Sequence, residues 1–293
     1  MAKSRTRAKA DKAEIVGRRN ILINGGFQVS QRGDYTTATA TASNTYYLDR
    51  WKRKGATPAA TVQDLSGTVK MLATSSETGQ MQMQQDLDPV DNYKISGKTL
   101  TFSALVKSNS TNCRLLYEAS GAGGWGSETV SHSGNGQYER LSVTFTMPAI
   151  TDSISVRVYV GIDGADAAAV SITTGDYFEA SEVQLELGSV ATDFENRSYG
   201  EELALCQRYY ERAYVTVRGG YTSGDYVRPN IQYSVTKRTQ PTVVQTSQAA
   251  IGGVSYNGSN NQISTMTVNL DFRCTSSGSN VYNYSFFSFD AEI

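Results

Sequence analysis

Histidine is nearly absent from this chain: His132 is the only one in 293 residues, and the cysteines number three, Cys113, Cys206 and Cys274. One histidine cannot build a multi-histidine metal centre within one chain. Any nucleophile–histidine triad would have to use His132. That residue lies in Ser131-His132-Ser133-Gly134-Asn135-Gly136, which reads as a solvated polar loop. The cysteines are odd in number and far apart, with no C-x-x-C pair. Neither a disulfide framework nor a zinc site is expected, and three reduced thiols in a protein made in a cytoplasm fit better. A nucleophile elbow G-x-S-x-G, a P-loop and H-E-x-x-H are all missing. Paired-carboxylate glycosidase chemistry needs no histidine, yet no pair of acids stands out. The expectation is a binding or structural protein, not an enzyme.

Charge is also scarce. Charged residues make up 19% and the formal net charge is −1, so bulk electrostatics select no polyanionic partner. No stretch approaches the roughly 20 apolar residues of a membrane span, and the N-terminus lacks the apolar core of a secretory leader. Membrane insertion is therefore not expected. What charge there is concentrates at the start: Lys3, Arg5, Arg7, Lys9, Lys12, Arg18 and Arg19 face only Asp11 and Glu14, so residues 1–19 carry +5 and the remainder −6. This basic arm is expected to be helical and to anchor the chain on an acidic surface of a larger assembly. Nucleic acid is a weaker partner for it, because no aromatic side chain interleaves with the basic ones.

The place of charge is taken by small, hydroxylated and aromatic residues, among them 26 glycines and 18 tyrosines. Threonine and tyrosine suit a pleated, half-buried surface and glycine suits turns. From Asn20 onward a period of two dominates. Leu100, Phe102, Ala104 and Val106 alternate with polar neighbours, as do Leu141, Val143, Phe145 and Met147, then Ile154, Val156, Val158 and Val160 opposite Ser155, Arg157 and Tyr159. Met81 and Met83 alternate with glutamines. In Tyr177–Leu187 the parity changes between Ala180 and Val183, which a β-bulge near Ser181 reconciles. About ten such short strands make an all-β, jelly-roll-like β-sandwich over residues 20–197. Ser198-Tyr199-Gly200-Glu201 then spells a capping box, and Leu203, Cys206, Tyr210 and Ala213 recur at helical spacing, predicting a linking helix over 198–213. Alternation returns in Ile231–Val235 and Met266–Cys274, so residues 214–293 form a second, smaller β-domain. Its last strand crowds Tyr282, Tyr284, Phe286, Phe287 and Phe289 into eight residues, more than one face can bury. Tyr282, Tyr284, Phe287 and Phe289 are expected to meet a partner chain.

Several motifs recur in order. Arg19-Asn20-Ile21-Leu22-Ile23-Asn24-Gly25-Gly26-Phe27 is followed by Gln31-Arg32-Gly33 and Asp49-Arg50-Trp51. Val183-Gln184-Leu185-Glu186-Leu187-Gly188 leads through Asp193-Phe194-Glu195 to Tyr199-Gly200-Glu201-Glu202-Leu203, and the chain closes on Phe289-Asp290-Ala291-Glu292-Ile293. This series resembles tail-fibre-type virion proteins of bacteriophages and prophages, over most of the chain from Arg18. Thr236-Lys237-Arg238 departs from the apolar-Met-Arg usual there, and the basic arm is outside the shared pattern. The resemblance implies a carbohydrate-binding-module-like sandwich, a homotrimer, other tail or capsid proteins as partners, a place in the virion tail, and contact with host surface glycans. The alternative is a capsid-decoration or tail-adaptor protein with a purely assembly role. A depolymerase fits less well, since no long β-helical repeat is present. No cofactor is expected beyond the minor option of a structural calcium near Asn24–Phe27 and Glu182, which the resemblance allows. Physically, Phe27 and Trp51 read as core anchors. Trp125 sits in the glycine-rich Gly121–Gly126 run, read as a loop that presents its ring for sugar stacking; Tyr117, Tyr159 and Arg157 complete the candidate glycan-binding set.

Overall fold

The computed structural model describes residues 18–88, 94–121, 124–148, 156–164, 168–258 and 261–292. Of the proposed anchoring residues, Lys3, Arg5, Arg7, Lys9 and Lys12, with the helix expected for them, lie outside these. The chain divides into two compact units, Met1–Tyr199 and Gly200–Ile293.

The first unit is a β-sandwich. Its strands are β1 (Thr39–Ala40), β2 (Tyr46–Leu48), β3 (Trp51–Lys54), β4 (Ala60–Asp64), β5 (Val69–Ala73), β6 (Glu77–Gly79), β7 (Met81–Asp86), β8 (Thr99–Ser108), β9 (Cys113–Gly121), β10 (Gly124–Ser131), β11 (Tyr138–Thr146), β12 (Val156–Ile162), β13 (Val170–Ile172) and β14 (Tyr177–Leu187). Two six-stranded sheets run in the orders β1-β4-β5-β14-β8-β11 and β10-β9-β12-β7-β3-β2, while β6 and β13 pair apart from them. The hairpins β2-β3, β4-β5 and β9-β10 stay within one sheet, whereas the chain crosses between sheets from β7 to β8, β8 to β9, β10 to β11 and β11 to β12, in jelly-roll manner. The inner faces follow the alternation: Leu100, Phe102, Ala104 and Val106 from the first sheet meet Met81, Met83, Val156, Val158 and Val160 from the second in one buried cluster. Tyr117 of β9 stacks flat on Phe145 of β11 across this core, with ring centroids 3.5 Å apart. The parity change in β14 occurs at a register shift between Ser181 and Gln184, where Glu182 has φ 51°.

The opening motif closes the sandwich. Asn24 has φ 58°; its amide nitrogen donates to the carbonyls of Val29 and Asp49 at 2.8 and 3.0 Å, and its side-chain oxygen accepts from Val29 N–H. The Trp51 indole N–H donates to the Asn24 carbonyl at 3.0 Å, and Trp51 packs on Phe27 with both buried. Asp49 accepts from the backbone and side chain of Gln31. Val183 N–H, at the β14 bulge, donates to the Gly25 carbonyl at 2.9 Å. A Cβ on Gly25 would stand 2.0 Å from the Val183 carbonyl oxygen, so glycine is required there by close approach. Gln85 pairs its side-chain amide with both backbone groups of Ile23, standing in for a strand partner. Arg19, expected to anchor the chain elsewhere, donates its backbone N–H to Glu195 and its guanidinium to the Asp193 carbonyl. Arg18 is half-buried beside it. Both belong to the described end of the sandwich.

Helix α1 (Tyr199–Gln207) opens on the last residue of the first unit and belongs otherwise to the second; its first turn carries Glu201 and Glu202, favourable to the helix dipole. The helix is shorter than its sequence suggests. Tyr210 and Ala213 lie in β15 (Tyr210–Tyr221), which pairs with a 13-residue strand, so sheet pairing of aromatic and β-branched residues overrides the last helical turn. There follow β16 (Tyr226–Val227), β17 (Asn230–Gln232), β18 (Thr242–Gly252), β19 (Val254–Tyr256), β20 (Gln262–Ile263), β21 (Thr267–Asn269), β22 (Phe272–Cys274) and β23 (Gly278–Asp290), in three three-stranded sheets ordered β15-β23-β18, β16-β22-β19 and β17-β21-β20. Val268, Leu270, Phe272 and Cys274 are buried as expected, but Met266 is exposed. Phe287 and Phe289, expected at a partner contact, are fully buried in this unit's own core. Tyr282 and Tyr284 occupy the opposite face. The departure Lys237 is buried: its ammonium donates to the Gln207 carbonyl at the helix end and to Glu211 at 2.7 Å, beneath the Tyr233 ring. Burial lowers its pKa despite Glu211. All three cysteines are buried and none is in a disulfide.

Two outcomes follow. Gly25→Ala must move the β14 bulge, and is expected to cost about 3 kcal/mol of the first unit's stability. Both tryptophans lie in that unit, so intrinsic fluorescence during urea unfolding reads the change. Lys237→Met strands the Glu211 carboxylate and is expected to cost roughly 3 kcal/mol, whereas Lys237→Met with Glu211→Leu recovers most of it; chemical denaturation followed by tyrosine signal checks the pair.

Candidate functional site

The outer face of the second sheet is polar although largely buried. Register sets its rows. Lys52, Gln84, Tyr159 and Leu116 stand side by side across β3, β7, β12 and β9, with Asp86, Arg157 and Glu118 in the next row and Gln82, Gly161 and Arg114 on the other side. Gly161 keeps these rows close: a Cβ there would stand 2.3 Å from the Met81 carbonyl oxygen.

Asp86 is the hub of the face. Its carboxylate takes the Lys52 ammonium, the Arg157 guanidinium at 3.3 Å and the Gln84 amide at 2.6 Å. Lys52 and Arg32 both lie over the ring of Tyr46, at 5.4 and 4.8 Å. The Tyr159 hydroxyl donates to Glu118 at 2.5 Å, and its pKa is raised by burial and by that carboxylate. Asp86 and Tyr159 are buried, whereas Lys52, Arg157 and Glu118 keep partial exposure. One end is closed by Asp163, which bonds Arg114 at 3.0 Å and the Gln82 amide. Burial outweighs Arg114 there and pushes the Asp163 carboxyl up to about 7. The face offers fixed donors and acceptors to a polar ligand, with charges neutralised in pairs so that no strong net field selects ionic partners.

Two of the four candidates from the sequence, Arg157 and Tyr159, meet here. Arg157 is open to a ligand; Tyr159 is buried and acts through Glu118. Tyr117 is a core residue and is corrected accordingly: it has the opposite strand parity and stacks on Phe145. Trp125 stands in strand β10 opposite Ser120, so Gly124–Gly126 is strand and not loop. The Gly121–Gly126 run spells G-x-G-x-x-G, but an antiparallel hairpin lacks the strand-to-helix turn that phosphate binding needs. His132 is also corrected. It is buried, with one ring nitrogen 2.9 Å from the Gln137 carbonyl and the other accepting from Gly134 N–H at 2.8 Å. It ties its turn together. The sequence missed Lys52, Gln84 and Asp86, which the alternation inside β3 and β7 could have placed together only with the strand order known.

A second hollow, of about 590 Å³, is lined by Gly26, Phe27, Gln28, Asp64, Ser66, Gly67, Glu182, Phe194, Asn196 and Tyr199. Gly26, Phe27 and Glu182 line it, from the segments where a calcium was allowed, and oxygens there already accept bonds from the protein's own groups. Glu182 is bonded to Arg140 at 2.7 Å, the Gly25 carbonyl accepts from Val183 N–H, and the Val183 carbonyl accepts from Asn20. Among the described residues no group of three or more His, Cys, Asp or Glu side chains converges.

No family model matches the chain. No curated protein matches it either. Solved structures do, loosely. The family 61 carbohydrate-binding module TmCBM61, solved with β-1,4-galactotriose, aligns over 58% of this chain and 100% of its own at 15% identity and TM-score 0.33. A family 4 carbohydrate-binding module aligns over 57% and 99% at 16% identity and TM-score 0.34. The enzymatically active domain of tailspike protein 4 of bacteriophage CBA120 aligns over 58% of this chain and 21% of its own, at 13% identity and TM-score 0.32. The likeness is one of β-sandwich architecture.

Asp163 makes a pH test. Its carboxyl loses its proton near pH 4 in the unfolded chain and near pH 7 when folded. Between these values the folded chain holds a proton that the unfolded chain has lost, so this group lowers stability as pH rises from 4 to 7. Asp163→Asn should reduce the stability difference between pH 5 and pH 8 by about 1–3 kcal/mol, read by urea unfolding at both.

Proposed function

We propose that this chain is a non-catalytic carbohydrate-binding virion protein of a bacteriophage, a tail fibre or receptor-binding protein that contacts host surface glycans. The observation that carries the glycan part is the Lys52–Asp86–Arg157 hub beside the Tyr159–Glu118 pair on a sheet face. Sugar hydroxyls both donate and accept, and pre-oriented charged and amide groups recognise them without the cost of ordering loose side chains. Tyr46, held under two cations, supplies an aromatic surface at one border. Trp125 shares strand parity with Ser127, which stands opposite Glu118, and the proposal assigns its ring to the ligand. The virion part is supported by the ordered motif series. The Asn24, Asp49 and Val183 motifs build the sandwich itself, and residues 1–17 are left for anchoring among tail or capsid proteins in a homotrimer.

Arg157→Ala and Trp125→Ala are each expected to weaken binding of the full chain to host surface polysaccharide about tenfold, roughly 1.4 kcal/mol, with the thermal midpoint nearly unchanged. Equal binding by wild type and both variants, or to cells stripped of polysaccharide, would sink the glycan reading. Gold labelling of intact particles is expected at the tail periphery; label on capsid faces would instead support a decoration protein.

A further inference from the structure

The second unit carries a different surface. On the outer face of the β15-β23-β18 sheet, register sets four rows: Arg212–Ser288–Val244, Tyr214–Phe286–Ser247, Thr216–Tyr284–Ala250 and Arg218–Tyr282–Gly252. Four aromatic rings thus share one open face, three of them along β23. Tyr214 is 51% exposed, and Tyr282, Tyr284 and Phe286 are partly exposed. The rings are ordered by the backbone below. A Cβ on Gly252 would stand 2.5 Å from the Tyr282 ring, so that ring lies across the bare strand. Tyr284 stacks on it with centroids 5.3 Å apart and planes 24° apart, and Tyr214 meets Phe286 at 4.7 Å. An arginine stands at each end: Arg212 over Phe286 at 5.9 Å, and Arg218 bonded to Asn280 at 3.0 Å. The four rows contain no carboxylate.

We infer that this face is a binding platform for an extended acidic polysaccharide, whose sugar rings stack on Tyr282, Tyr284 and Tyr214 while its carboxylates meet Arg212 and Arg218. It rests on the glycan reading only for the class of ligand; its residues are separate from the Lys52–Asp86–Arg157 face. Charge decides between occupants. Seated face to face on a second copy, the four rows would bring arginines together with no acid among them to receive them, and the heterologous contacts of the proposed homotrimer do not require this self-pairing. A nucleic acid carries a phosphate every ~3.4 Å of strand, and two cations roughly 20 Å apart at the strand rise neutralise few of these. A polyuronate, with one carboxylate per sugar or fewer and ring faces between, matches both the spacing and the sign.

Affinity electrophoresis of the full chain through gels containing alginate, hyaluronan or neutral dextran tests this. Wild type should be retarded by the two acidic polymers and not by dextran. Tyr282→Ala with Tyr284→Ala, and separately Arg212→Gln with Arg218→Gln, should each weaken retardation at least about tenfold, while Arg273→Gln, on another sheet of the same unit, leaves it unchanged. Loss with Arg157→Ala alone would move the acidic-glycan site to the first unit and overturn the assignment. So would equal retardation by dextran, retardation by neither acidic polymer, or binding to oligo(dT) alone. Sedimentation of the same variants adds one more overturning outcome: an oligomer that dissociates in Tyr282→Ala/Tyr284→Ala would make the face a contact between copies.

Discussion

The sandwich depends on the docking of the Asn24 turn against the bulge of β14. Three segments far apart in sequence end there. Asn24 binds the chain after it through Val29 and the strand entry at Asp49, Trp51 hangs from its carbonyl, and Val183 reaches Gly25. Each bond satisfies a buried backbone group that would otherwise lose its hydrogen bond to water without replacement. Gly25 is indispensable through proximity, while the positive φ angles fall on Asn24 and Phe27. Asparagine tolerates that region and offers a short amide to the same turn, which explains the Asn-Gly-Gly-Phe spelling without any appeal to ligand binding.

The core and the order of the motifs were legible because alternation is a local signal. Leu100–Val106 and Val156–Val160 announce their buried faces in the sequence itself, and the parity break in β14 announces its bulge. Which strands neighbour one another is not local. Arg157 could be read as facing away from the core, but its partner Asp86 is 71 positions away and becomes a neighbour only through the order β12-β7. The same limit misplaced Tyr117. Its neighbours in sequence suggested an open surface, yet its parity matches Leu115 and Ala119, and it stacks across the core. Tyr159, with the opposite parity, faces outward and is still buried, because the rows on either side fill the space around its ring.

The misread segments share a cause. His132, the Trp125 run and the end of the helix all lie where local composition and long-range pairing disagree. A polar hexapeptide around His132 looks solvated until its turn folds over the ring. Gly124–Gly126 looks like a loop until pairing with Ala119–Gly121 makes it strand. Tyr210 and Ala213 fit a helical spacing until β23 offers a longer partner. In the aromatic C-terminus the two-faced reading was correct for Tyr282 and Tyr284, which lie outside with Phe286, and wrong for Phe287 and Phe289, which fill the unit's own core.

The outer faces of the two sandwich sheets use one device. Asp86 gathers Lys52, Arg157 and Gln84; Glu179 gathers Lys70, Lys107 and the Tyr138 hydroxyl. A carboxylate placed between long cationic side chains holds them flat along the sheet and cancels their charge. Ion pairs with a buried carboxylate add little net stability, because desolvation offsets their attraction, so their consequence is geometric: they fix the positions of donors along the sheet face. The β15-β23-β18 face reaches the same order by another route, with rings laid over Gly252 and stacked on one another, and with its arginines left unneutralised by acids in the rows. The first kind of face suits a neutral polyhydroxylated surface, where pre-oriented hydrogen bonds discriminate. The second suits a charged polymer, where sign and ring spacing discriminate. On the proposed reading, a chain carrying both reads two properties of one cell surface.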